Sequence, residues 1–103
     1  MSEFVRLMSK AQLPRDGEAR EASCDGIMLC IANVGGNISA MDNTCPHRGG
    51  PLGEGIIENG KVVCPWHAWA FDVVTGETDQ SSTDKVPVYP VKIEENDVMV
   101  KLG

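Results

Sequence analysis

The chain reads as an all-β protein, a small antiparallel sandwich or barrel, and three observations predict this. Its apolar or alternating stretches are short, turn residues recur about every ten positions, and only one segment could form even a single helical turn. The first strand is EFVRLM, followed by that lone helical turn, Ser9–Leu13, which Pro14 ends. After the turn LPRDG comes IMLCIANV, then the turn GGN. KVVC and AFDVV follow, the second closed by TGE; VYPVKI runs to the turn EEND, and VMVKL ends the chain. Cys24 and Cys30 fall in or beside an apolar stretch and read as small core hydrophobes. No internal repeat, low-complexity tract or linker is evident, and 103 residues fit one domain, 1–103, with a modest core.

The formal charge of −6, spread along the chain, argues against nucleic-acid binding and fits a partner with a basic face. No apolar run approaches the ~20 residues of a membrane span, so no membrane partner is expected. The start, MSEFVRLMSK, lacks the basic-then-apolar order of a secretory signal. The expected location is cytoplasmic and reducing, where paired thiols bind metal more often than they form disulfides.

The chain has two histidines, and each sits beside a cysteine and a proline, in CPHRGGPLGEG and in CPWHAWAF. Cys45, His47, Cys64 and His67 give the spacing C-x-H-x16-C-x2-H. In an extended segment residues two apart point to one side, ~6.5 Å apart, so one loop could aim a sulfur and an imidazole together. Pro46 and Pro65 fix φ and bias the preceding cysteine toward extended backbone. Gly49, Gly50, Gly53 and Gly55 are expected to allow positive φ and close approach of backbone amides. Structural zinc sites use C-x2–4-C or H-x3–5-H pairs rather than C-x-H, so a zinc-stabilised binding module fits these spacings poorly.

This constellation resembles the Rieske [2Fe–2S] proteins, and CPHRGGPL and CPWHAWAFD look like the soluble Rieske ferredoxins of oxygenase systems. LPRDGEA, ISAMDNTCPHRGG, FDVVTGE and VYPVKIEENDVMVKL extend the likeness over nearly the whole chain. The resemblance implies the Rieske fold: a scaffold at about 1–44 and 70–103, and two cluster-binding loops within about 45–69. It also implies one [2Fe–2S] cluster, with Cys45 and Cys64 on one iron and His47 and His67 on the other. Around these ligands it draws in Pro46, Arg48, Gly49, Gly50, Trp66, Ala68 and Trp69. Trp66 reads as a shield for the cluster and Trp69 as at least partly core; Arg48 reads equally as solvated or functional.

Rieske proteins of respiratory and photosynthetic complexes carry an extra cysteine in each loop, joined by a disulfide, and a serine after the second histidine. Here those positions are Gly50, Trp66 and Trp69, which places the chain in the low-potential group. Rieske oxygenases add a mononuclear iron domain, for which this chain has neither room nor a spare histidine. The resemblance therefore implies a non-enzymatic, soluble electron carrier between a flavin-dependent ferredoxin reductase and a terminal oxygenase or reductase. The alternative is a small Rieske-like subunit of a multi-chain reductase, such as assimilatory nitrite reductase.

Overall fold

Strand pairing and apolar periodicity dominate the computed structural model, which describes residues 3–47, 49–66 and 68–102. The first four strands are β1 (Phe4–Ser9), β2 (Ala19–Cys24), β3 (Ile27–Val34) and β4 (Asn37–Asp42). Five more follow the first loop: β5 (Ile56–Glu58), β6 (Lys61–Val63), β7 (Ala70–Asp72), β8 (Glu77–Thr78) and β9 (Ser81–Lys85). The last three are β10 (Val88–Tyr89), β11 (Val91–Glu94) and β12 (Asp97–Lys101). They pair antiparallel in three sheets ordered β1-β12-β11, β10-β4-β3-β2 and β5-β6-β7-β8-β9. The all-β expectation holds.

The middle sheet is apolar on both faces, which explains the unbroken stretch IMLCIANV. Leu29 and Ile31 point into one core cluster with Met8, Ala40, Val98 and Val100, toward the first sheet. Cys30 and Ala32 point into another, with Met41, Leu52, Val62 and Phe71, toward the third. A strand buried on both faces loses the polar alternation of a half-exposed one. Leu29 and Ile31 are fully buried, each contributing about 2 kcal/mol. Cys24 and Cys30 fall in different clusters as small core residues. Burial, with Glu21 adding to it, pushes the Cys30 thiol up to about 12. Burial and then Asp25 raise that of Cys24. Both thiols stay protonated at neutral pH and are poor metal ligands.

Several elements differ from expectation. The stretch VYPVKI is two strands, β10 and β11, in different sheets, because Pro90 supplies no N–H and the chain changes sheet there. Strands β2 and β9, AREASC and SSTDK, are too polar to stand out, and are held by their neighbours' ladders. The helical turn appears as 3-10 at Lys10–Gln12, with the Gln12 side chain accepting the Ser9 N–H. A second 3-10 turn, Leu52–Glu54, was not expected.

The topology decides where the two Cys/His stretches meet. Strand β4 of the middle sheet leads into the first, while β6 and β7 of the third sheet flank the second. The cluster between these two sheets contains both Cys45 and Cys64, so the bases of both loops sit in one core.

Candidate metal centre

Each Cys/His stretch closes as a six-residue turn, and the two turns share one hydrogen-bonding scheme. In the first, the Cys45 N–H donates to the Gly50 carbonyl at 2.9 Å, and the Gly49 N–H donates to the Cys45 carbonyl at 2.7 Å. In the second, the Cys64 N–H donates to the Trp69 carbonyl at 2.8 Å, and the Ala68 N–H to the Cys64 carbonyl at 3.0 Å. The fifth residue is left-handed in both, Gly49 at φ +80° and Ala68 at φ +60°. The two turns therefore match in their closing hydrogen bonds and in the handedness of the fifth residue, although the sequence shows no repeat. The histidine is third in one and fourth in the other, which hides the correspondence.

The expected extended Cys45–His47 segment is a turn instead, since one carbonyl must reach the N–H four residues on. The glycines meet half of the expectation: only Gly49 of the four has positive φ, while close backbone approach holds at the other three. Gly50, Gly53 and Gly55 are required for space. A Cβ on Gly50 would stand 2.7 Å from Cys64 Sγ and 3.1 Å from the Trp66 ring. One on Gly55 would stand 1.9 Å from the Val63 carbonyl, just before Cys64. The backbone of the first loop thus lies directly against the sulfur and ring of the second.

Strong anchors hold the first turn. A bridge pairs Thr44 with Pro51 across its mouth. Buried Asn43 donates to Glu21 Oε2 at 2.6 Å, and its Oδ1 accepts the Gly53 N–H at 2.7 Å. The Asn43 carbonyl accepts the Leu52 N–H at 2.8 Å, tying the second 3-10 turn to the loop entrance. Sequence reading missed Asn43. Its signal is a polar residue at the end of an apolar strand, two positions before a candidate ligand.

Cys45 and Cys64 are both 2% exposed, at the first position of each turn. His47 is partly exposed, and its ring stacks on Trp69 with centroids 4.1 Å apart and planes 8° from parallel. Trp69 is partly buried against the core, whereas Trp66, beside Gly50, is 58% exposed. Pro46, Gly49, Pro65 and Ala68 are exposed and Gly50 is buried. The candidates Arg48 and His67 lie outside the described residues. Two cysteines buried in one core at the bases of these turns, and an imidazole stacked on the second turn, are the donor types that iron–sulfur clusters take, although among the described residues no three such groups are drawn together as for a single ion.

A family model for the Rieske [2Fe–2S] domain matches residues 3–90. The chain belongs to the Rieske [2Fe–2S] domain family. This Rieske domain is 42% identical over 74 residues to the ferredoxin component of the 2,4-dinitrotoluene dioxygenase system of Burkholderia sp. (strain RASC), covering 71% of each chain. The Sphingomonas yanoikuyae B1 ferredoxin superposes with a TM-score of 0.85 at 28% identity, covering 98% of this Rieske domain and 100% of that chain. A nitrite reductase small subunit from Mycobacterium tuberculosis superposes at 0.88, covering 100% and 97%, but at 21% identity the likeness is one of fold. The cofactor of this Rieske domain is a [2Fe–2S] cluster.

Proposed function

We propose that the chain is the electron-carrying ferredoxin of an oxygenase system and holds its cluster through Cys45, His47, Cys64 and His67. The observation that carries the ligand assignment is the pair of matching turns, each opening on a buried cysteine and meeting its partner at His47 and Gly50. The name of the Burkholderia relative supports the oxygenase system. Loops within 45–69 act on a scaffold of about 1–44 and 70–103.

When bound, the cluster supplies a one-electron site whose potential is raised above that of an all-cysteine cluster by neutral imidazoles. The residues of the chain determine access to it. Core packing keeps water from the Cys45 and Cys64 side chains, while the partly exposed His47 leaves an edge for a partner. The partners in this reading are a flavin-dependent reductase as donor and a terminal oxygenase as acceptor, in the cytoplasm. They contact the tip made by residues 46–52 and 65–68. The net charge of −6 steers a basic partner, and salt should slow association because screening shortens the field to ~8 Å at physiological strength.

Purification tests the reading. The protein should be red-brown, with about two irons and two labile sulfides per chain and a potential toward the lower end of about −150 to +300 mV. A colourless protein with zinc would overturn it. Elution from an extract only within a large reductase would replace the shuttle by a fixed subunit.

A further inference from the structure

The stack of His47 on Trp69 joins the two loops through side chains. Its rings are nearly parallel, at 8°, with centroids 4.1 Å apart. Trp69 comes from the opposite turn and is itself held twice. Its carbonyl accepts the Cys64 N–H at 2.8 Å, and its indole packs on the core, 6.4 Å from the Phe71 ring and tilted by 38°. A histidine ring otherwise has wide freedom about its second side-chain dihedral, a broad sp³–sp² torsion. An immobile aromatic face in van der Waals contact removes most of that freedom, because turning the imidazole out of parallel drives its edge into the indole.

We infer that Trp69 is a positioning residue that fixes the plane of the His47 imidazole and so the orientation in which its nitrogen meets iron. The inference rests on His47 being a ligand, as proposed above. It gives Trp69 a role that core filling alone does not. One loop sets the orientation of the other loop's ligand, and the indole covers one imidazole face against water.

Pulsed EPR of the reduced, cluster-loaded protein reads the nitrogen hyperfine couplings of the histidine ligands directly. Trp69→Phe keeps an aromatic face and should retain the wild-type couplings. Trp69→Leu removes the face, so the coupling of one ligand nitrogen should shift and broaden while the other stays unchanged. Release of iron to a chelator should also quicken roughly three- to tenfold, the range expected for losing one aromatic pair. Val74→Ala, at an exposed position outside both turns, should leave both couplings in place. Unchanged couplings in Trp69→Leu would overturn the inference, as would Phe and Leu variants altered alike, which would mean that bulk and not the face matters. If the Leu variant loads no cluster, Trp69→Met, flexible and closer in volume, is read by the same criteria. Absence of any nitrogen coupling in the wild type would remove histidine ligation itself, a failure distinct from that of the stack.

Discussion

The turns opened by Cys45 and Cys64 are closed by the same pair of hydrogen bonds, yet they agree in sequence only at their cysteine and proline. The left-handed corner is glycine in the first and alanine in the second. The closing residue is Gly50 in the first, where any side chain would strike the opposite sulfur, and Trp69 in the second, whose ring supports the opposite histidine. A common hydrogen-bonded frame therefore presents the cysteines equivalently, while the remaining positions are complementary. The first loop is thin where the second is bulky. Neither closing residue could be exchanged with its counterpart without losing the fit between the loops.

The largest effect should come from what the turns share. Cys45→Ser and Cys64→Ser should each abolish the cluster, and iron analysis of the purified variants checks this. Full iron in either variant removes that residue from the ligand set. Gly50→Ala attacks the complementarity. Its Cβ, 2.7 Å from Cys64 Sγ, should cost about 1–3 kcal/mol as overpacking and reduce iron content. Wild-type stability and iron loading would mean that the loops separate freely. The left-handed corner sharpens the comparison further. Gly49 has open space around its missing Cβ, so Gly49→Ala should cost only the backbone penalty, about 1–2 kcal/mol. Ala68→Gly should have the opposite sign. Strain relief slightly exceeds the entropy that glycine adds to the unfolded chain, leaving a gain of about 0.5 kcal/mol. Denaturant melts of the loaded protein measure both, and a destabilised Ala68→Gly would break the equivalence of the corners.

Much of this was legible in the sequence, and the rest was hidden for identifiable reasons. Short strands and frequent turns gave the all-β class, and C-x-H with C-x2-H gave the two loops. The three-sheet arrangement was not legible, because the run around Leu29–Ala32 marks a buried strand without saying what covers its two faces. Pro90 splits VYPVKI between sheets, a boundary that apolar periodicity passes over. The close approach allowed by the first loop's glycines was legible, but which groups they approach was not, because Gly50, Gly53 and Gly55 are set by contacts with residues distant in sequence. Asn43 escaped for the same reason, since its partners Glu21 and Gly53 lie 22 and 10 positions away.

Both tryptophans of the chain, Trp66 and Trp69, lie in the second turn, and the scaffold contains none. Indole emission is therefore a local signal, with one solvated fluorophore and one partly buried fluorophore reporting on the same six residues. An iron–sulfur chromophore bound between the turns would accept energy from both, so loading would darken the emission and cluster loss would restore it. The restored light would differ in colour between the two rings, with the solvated Trp66 emitting to the red of Trp69. A single optical trace thus follows assembly of the centre without contribution from the sheets beneath it.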